Sequence, residues 1–230
     1  MDFTKAFKRY ELKYIINSEQ REIIKKVIEE HMQTDKYGKS TICNIYYDTP
    51  DFRLIRNSIE KPVYKEKLRV RSYGTPTPES TVFVELKKKY KSVVYKRRIN
   101  TDENTAYRLL NGKKLIDTQI AREIYYFTDY YAPLSPAMYI SYEREAYFSG
   151  EFRITFDSNL LWRDYDLTLS AGNYGRNIID KDLSIMEIKT SYAIPLWLSH
   201  ILNQNHIYKT PFSKYGTAYK TVLKEKCNNA

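Results

Sequence analysis

Apolar and charged residues alternate with period 2 along eight segments of this chain, and the charged positions are mainly Lys and Arg with an occasional carboxylate. The alternation runs through Arg9-Glu11-Lys13, Lys67-Arg69-Arg71, Glu85-Lys87-Lys89, Lys96-Arg98, Arg144, Arg153-Asp157 and Glu187-Lys189. Side chains two apart on a strand share a face, so each segment presents its charges together. The intervening residues (Tyr10, Leu12, Tyr14; Leu68, Val70; Val82, Val84, Leu86; Phe152, Ile154, Phe156) supply a consistent buried face. A single charged strand face is an ordinary solvated edge, but its repetition over most of the strands is not. The economical arrangement is a closed sheet with polar faces inward and apolar faces outward under helices. A lumen holding so many cations repels itself unless an anion fills it. The pattern therefore predicts a polyanion-binding tunnel.

The same periodicities place the elements. A first strand is expected over Phe7 to Ile16, then a helix capped by Asn17 or Ser18 with Ile23, Ile24, Val27 and Ile28 at helical spacing. A strand over Ile42 to Asp48 leads to Thr49-Pro50, a cap-plus-first-turn start for a short helix through Ile59. Tyr64 to Tyr73, Thr81 to Lys89 and Ser92 to Asn100 read as an antiparallel meander. Asp102 opens two helices reaching about Tyr131, and strands follow over Met138 to Phe148 and Phe152 to Ser158. Asn159 to Asp182 reads as irregular, Leu183 to Thr190 as the last strand, and helices are expected from Pro195 to Gln204 and Ser213 to Lys226. Short hairpins mixed irregularly with helices give an α+β class, and eight antiparallel strands suffice to close a barrel with a modest lumen. With no linker, repeat or low-complexity tract, residues 1–230 read as one domain.

Composition sharpens this picture. A net charge of +10 favours acidic partners. The 23 tyrosines would suit base stacking, yet most fall on the apolar phase of strands or in helix stripes, where they serve as packing residues. A nucleic-acid groove would interleave aromatics and cations on one face, so nucleic acid is not expected as a partner. Cys43 and Cys227 lie far apart without metal-ligand spacing, which suits a reduced compartment. No apolar leader or membrane-length stretch is seen, and a cytoplasmic location is expected.

Arg69-x-Arg71 and Lys96-x-Arg98 each put two cations on one face, Arg suited to gripping phosphate oxygens bidentately and Lys to acting as a mobile point charge. A carboxylate in such a face, as in Glu85-x-Lys87 and Glu187-x-Lys189, is either a salt-bridge partner or a ligand for a divalent ion. For Glu85 both readings stay open. Other chemistries lack support. The chain has only seven glycines and no Gly-rich phosphate loop, and His31, His200 and His206 stand at unrelated positions.

An ordered set of motifs resembles the VTC domain, the catalytic module of vacuolar transporter chaperone polyphosphate polymerases within the triphosphate tunnel metalloenzyme superfamily. The set comprises Phe7-Lys8-Arg9-Tyr10-Glu11-Leu12-Lys13-Tyr14, Tyr46-Tyr47-Asp48-Thr49, Lys67-Leu68-Arg69-Val70-Arg71, Val84-Glu85-Leu86-Lys87, Tyr142-Glu143-Arg144, Phe152-Arg153-Ile154-Thr155-Phe156-Asp157, Met186-Glu187-Ile188-Lys189 and Phe212-Ser213-Lys214-Tyr215. The resemblance implies an eight-stranded antiparallel tunnel that takes a triphosphate or polyphosphate chain. By this carry-over Lys13, Arg69, Arg71, Lys87, Arg144, Arg153 and Lys189 act in catalysis, while Lys96, Arg98, Lys214 and Tyr215 bind phosphate. Glu187 would hold Mn²⁺ or Mg²⁺, with Glu85 and Glu11 as further candidates. Where the wider superfamily opens with Glu-x-Glu-x-Lys, this chain has Arg9-x-Glu11-x-Lys13, which weakens the case for a two-metal hydrolase. Neither an SPX-type regulatory domain nor membrane helices are expected here.

These readings together predict a polyphosphate polymerase that moves the terminal phosphoryl group of ATP onto a polyphosphate chain. Two alternatives remain: a hydrolase of inorganic or nucleoside triphosphate, with Glu11, Glu85 or Glu143 activating water, and a non-catalytic polyphosphate-binding module.

Overall fold

The computed structural model describes residues 10–91 and 93–228; the expected strand residues Phe7 to Arg9 and Ser92 lie outside them. In chain order the elements are β1 (Tyr10–Ile16), α1 (Ser18–His31), β2 (Gln33–Thr34), β3 (Ser40–Asp48), α2 (Arg53–Ile59), β4 (Tyr64–Tyr73), β5 (Val82–Tyr90) and β6 (Val93–Thr101). They continue with α3 (Glu103–Leu110), α4 (Gln119–Tyr130), β7 (Ser135–Ser149), β8 (Phe152–Arg163), β9 (Arg176–Asn177), β10 (Ser184–Thr190), α5 (Leu196–Gln204) and α6 (Lys214–Asn228). They pack as two compact units of discontinuous chain. The first takes the described part of Met1–Ser40 with Glu143–Asn159 and Ile179–Phe212; the second takes Thr41–Tyr142, Leu160–Ile178 and the described part of Ser213–Ala230. β7 and β8 each run from one unit into the other, so no linker marks the division.

In the first unit the strands are ordered β1-β10-β8-β7, with β2 paired to β7. The register sets Lys13 opposite Glu187, Glu187 opposite Thr155, and Lys189 opposite Arg153. The alternate positions Tyr14, Ile16, Ile154, Phe156, Met186 and Ile188 are buried against Ile24 and Ile28 of α1 and Leu198 and Leu202 of α5. Each such side chain removed from water contributes about 1.5–3 kcal/mol, so a one-residue slip that exposed this face would be heavily penalised. Asn17 caps α1 reciprocally: its side chain accepts from the Gln20 amide at 2.8 Å while Gln20 accepts from the Asn17 amide at 3.2 Å.

In the second unit the order is β7-β3-β4-β5-β6, antiparallel between β3, β4, β5 and β6, with β9 paired to the end of β8. Ile45, Tyr47, Leu68, Val70, Val84 and Leu86 form its buried face, covered by Leu109 of α3 and Ile124 and Phe127 of α4. Asp102 and Thr118 cap those helices, accepting from the Thr105 and Ala121 amides. The α+β class with an antiparallel sheet under helices is as expected.

Three expectations need correction. The sheet is not closed: among the described residues β1 pairs only with β10 and β6 only with β5, so the strand order ends openly in each unit instead of joining into a barrel. Helix α2 starts at Arg53, not at Pro50. The Asp48 carboxylate accepts from the amides of Thr49 (2.9 Å), Leu54 (2.9 Å) and Ile55 (3.0 Å), and this draws the intervening chain into a loop with Phe52 left-handed at φ 57°. The Thr49 hydroxyl still accepts from the Arg53 amide at 2.8 Å, so it caps from outside the helix. Finally, the segment after Asn159 is irregular only in part: β8 continues to Arg163 and β9 pairs with it, while residues 164–175 and 178–182 form no helix or strand, as expected. Arg163, 1% exposed, donates to the carbonyls of Asp166, Thr168, Gly172 and Tyr174 and lies between the rings of Tyr139 and Tyr174. Gly175 is required there, since a Cβ would stand 2.5 Å from the Trp162 carbonyl oxygen.

Candidate functional site

The polar positions of β3, β4, β5 and β6 gather on one face of the second unit. Cross-strand register sets Lys67, Lys87 and Lys96 abreast in one row and Arg69, Glu85 and Arg98 in the next. Like charges directly opposite on neighbouring strands are destabilising, so a row of three lysines calls for counter-charge nearby. Glu85 is fully buried and ties the cations together. Its Oε2 accepts from Arg69 Nε (2.9 Å) and Nη2 (2.7 Å), and its Oε1 accepts from Arg98 Nε (2.8 Å) and lies 2.6 Å from Lys96 Nζ. Arg71 Nη1 is 4.0 Å away. Burial alone would raise the Glu85 carboxyl, but Arg69, Arg71 and Lys96 outweigh it and hold it well below the usual carboxylate range. Burial in turn lowers the Lys96 ammonium.

The helix end beside this face belongs to it. Lys67 donates to the Ser213 hydroxyl at 3.1 Å, and the Lys214 ammonium lies 4.3 Å from the centre of the Tyr142 ring. Tyr215 is buried and donates to Asp48 at 2.9 Å while its ring stacks on Tyr46 at 4.7 Å. Its hydroxyl is thus engaged inside the protein and fixes the first turn of α6. Burial pushes the Asp48 carboxyl up against these hydrogen bonds, and the Tyr215 phenol up as well. Lys67, Arg69, Arg71, Lys87, Lys96, Arg98 and Lys214 thus lie on this face with Glu85 as the carboxylate that Arg69, Lys96 and Arg98 contact, while Asp48 is engaged by Tyr215 and backbone amides.

The first unit presents a second, balanced face. Lys13 Nζ lies 3.1 Å from Glu11, 3.8 Å from Glu187 and 3.3 Å from the Phe212 carbonyl; Lys189 Nζ lies 2.8 Å from Glu187. Arg144 grips the buried Asp157 with Nε at 2.6 Å and Nη2 at 2.7 Å, and the half-exposed Arg153 reaches Asp35 at 3.2 Å. Lys13, Lys189, Arg144 and Arg153 here meet Glu11, Glu187, Asp157 and Asp35, a more acidic balance than the mainly basic lining that the strand pattern suggests. Burial would raise Glu187, yet Lys189, Lys13 and Arg144 hold it well below the usual range.

Among the described residues no three His, Cys, Asp or Glu side chains form a metal cage. A small divalent ion such as Mg²⁺ usually takes one or two protein carboxylates and completes its shell with water and substrate phosphate. Glu187 and Glu11, both against Lys13, suit that mode. Glu85 fits it less well, because guanidinium and ammonium donors lie within 2.9 Å of both of its oxygens, whereas Glu187 meets one ammonium at 2.8 Å and a second only at 3.8 Å. Glu85 is a salt-bridge centre, one of the two readings left open above.

Sequence reasoning gave no role to Asn44, Tyr46, Tyr142 or Asp157. Asn44 and Tyr142 accept from Arg71 Nε (2.9 Å) and Nη2 (3.1 Å), and Tyr46 accepts from Arg69 Nη1 at 3.1 Å. The signal was their phase: Asn44 and Tyr46 stand opposite Arg71 and Arg69 once β3 is registered on β4.

A VTC domain profile matches residues 8–223 of this chain. Vacuolar transporter chaperone complex subunit 4 of Schizosaccharomyces pombe is 25% identical over 232 residues, covering 80% of this chain and 32% of the relative. The chain thus spans about a third of that relative's length. A Bacillus halodurans protein provisionally assigned as an adenylate cyclase has a similar structure, with a TM-score of 0.57, 14% identity, and coverage of 90% of this chain and 95% of the other. A Hippeastrum protein, provisionally an adenylyl cyclase and described as having a dominant triphosphatase activity, gives 0.57, 15%, 92% and 95%. At these identities the likeness concerns the fold alone.

Proposed function

The chain belongs to the VTC domain family, and from that premise we propose that it is a polyphosphate polymerase using ATP as phosphoryl donor. The observation that carries this reading is the face of the second unit, where Lys67, Lys87 and Lys96 stand abreast beside the Arg69-Glu85-Arg98 row. Such a face suits an extended anion with regularly spaced charges. Arg69 and Arg71 are buried and held by Glu85, Tyr46, Asn44 and Tyr142, so their donors are oriented before a ligand arrives.

In the proposed reaction a terminal phosphate oxygen of the chain attacks the γ-phosphorus of ATP. The bond from that phosphorus to the β,γ-bridging oxygen breaks, and ADP leaves. The attacking oxygen is already ionised, so no strong general base is needed, and among the described residues no His or Cys contacts the charged groups of either face. Catalysis then rests on positioning and on neutralising the equatorial oxygens. Within the second unit Arg69, Arg71 and Arg98 are the candidates for this task; Lys13, Lys189, Arg144 and Arg153 are the candidates that the first unit offers by itself. Glu187 with Glu11 would hold Mn²⁺ or Mg²⁺, which supplies further charge neutralisation.

The test is to incubate the purified protein with ATP and Mn²⁺ and resolve the products on a gel. A ladder of long-chain polyphosphate with matching ADP supports the polymerase. Free phosphate alone makes the protein a triphosphate hydrolase, and no turnover with retained polyphosphate binding makes it a binding module.

No helix among the described residues is long and apolar enough to cross a membrane.

A further inference from the structure

Tyr46 is the residue of the second-unit face whose chemistry the phosphoryl-transfer reading leaves unused. It sits on β3 directly opposite Arg69, and its hydroxyl oxygen accepts from Arg69 Nη1 at 3.1 Å. Lys67 and Arg71 flank Arg69 on the same face of β4. On its own strand stand Asn44, committed to Arg71, and Asp48, committed to Tyr215 and backbone amides. From β7, Tyr142 meets Arg71 and Lys214; from α6, Tyr215 covers the Tyr46 ring; from β5, Glu85 is screened from it by Arg69. The groups facing the phenol oxygen are therefore cationic.

We infer that Tyr46 is an acid–base member of this face: in the free protein its oxygen serves as a resident anion among the cations, and it takes a proton from solvent when phosphate oxygens replace it in that role. Only an O–H bond forms, and the proton comes from the buffer. The local charges agree with this. Burial opposes ionisation of Tyr46, but Arg69, Lys67 and Arg71 outweigh it and lower the phenol from its ordinary value to about 7. An arriving polyanion reverses that balance and favours the neutral phenol. Above this pH, binding must therefore be accompanied by proton uptake, and affinity should fall by up to about tenfold per pH unit from this group alone. The inference rests on the phosphate-handling reading for its ligand, while the titration of the free protein does not.

The experiment follows the near-ultraviolet absorption of tyrosinate in the full chain as pH is raised through neutrality, with and without tripolyphosphate in chelator-treated buffer. Calorimetric binding in buffers of different ionisation enthalpy then counts the protons taken up. The wild type should show one tyrosinate forming near neutral pH, suppressed by tripolyphosphate, with proton uptake exceeding that of Tyr46→Phe by about one. Absence of the neutral-pH tyrosinate in the free wild type overturns the inference, as does uptake equal in wild type and Tyr46→Phe. A tyrosinate that forms while tripolyphosphate fails to bind removes both the coupling and the phosphate reading. If Tyr46→Phe does not fold, the wild-type band with and without tripolyphosphate decides the matter alone.

Discussion

Replacing Glu85 by Gln removes one negative charge from the centre of the second-unit face and almost nothing from its shape. The carboxylate is fully buried and is contacted by Arg69, Lys96 and Arg98, with Arg71 at 4.0 Å. Removing one partner of a buried ion pair costs about 3–5 kcal/mol because it strands the other charge. Arg69 and Arg71 are nearly buried, whereas Lys96 and Arg98 keep about a third of their side chains in solvent. Solvent can relieve those two, so the lower figure, about 3 kcal/mol, is expected. For a chain of this size that is a fall in Tm of about 6–12 °C. The diagnostic part is rescue. Tripolyphosphate at a hundredfold excess over Kd stabilises the protein it binds by about 2.7 kcal/mol. If phosphate takes over as counter-charge, it should raise the Tm of Glu85→Gln by more than that of the wild type. Differential scanning fluorimetry over a tripolyphosphate series measures both terms. Equal shifts in the two proteins, or an unchanged Tm in ligand-free Glu85→Gln, would refute the idea that this carboxylate holds together an anion-seeking cluster.

Three further outcomes follow from the same geometry. Glu187→Gln should retain or tighten tripolyphosphate binding without metal while losing Mn²⁺-dependent turnover, because its carboxylate opposes phosphate unless a cation intervenes; unchanged turnover and metal dependence would leave Glu187 as a salt-bridge partner of Lys13 and Lys189. Arg71→Ala should weaken tripolyphosphate binding at least tenfold, whereas Lys88→Ala, whose side chain points to Glu66 on the opposite face, should bind as the wild type does in the same titration. Glu85 and Glu187 are both held below their unfolded values, so their stabilisation is complete above about pH 4.3 and is lost as pH falls below that; the Tm of Glu85→Gln should therefore fall less on acidification than that of the wild type.

The strand faces were legible because period 2 is a local property. Once Leu68 and Val70 are buried, Lys67, Arg69 and Arg71 have only the other side of β4 to occupy. Partnership was not local. Glu85 and Glu187 occupy similar Glu-x-Lys motifs, yet one is enclosed by Arg69, Arg98 and Lys96 and the other meets only lysines at short range, which depends on strand register. The start of α2 was misplaced for a related reason. Thr49-Pro50 is a sound local signal, but the Asp48 carboxylate reaches forward to the Leu54 and Ile55 amides and moves the first turn. The loop after β8 is irregular as read, and what holds it is one side chain, Arg163, bonding backbone carbonyls that no sequence pattern marks. Closure of the sheet was inferred from the repeated charged faces, with a strand number that suffices for a barrel, but neither obliges the last strand to pair with the first.

The central claim is that the basic sheet face selects a chain of phosphates and not polyanions in general. The direct measurement is the thermal shift produced by tripolyphosphate and by duplex DNA of equal total charge, at matched ionic strength. Tripolyphosphate should raise the Tm by several degrees and DNA far less, because the Lys67-Lys87-Lys96 and Arg69-Glu85-Arg98 rows are fixed by strand register as one compact basic face. Equal stabilisation by DNA would contradict the account and make the face a general surface for nucleic acid.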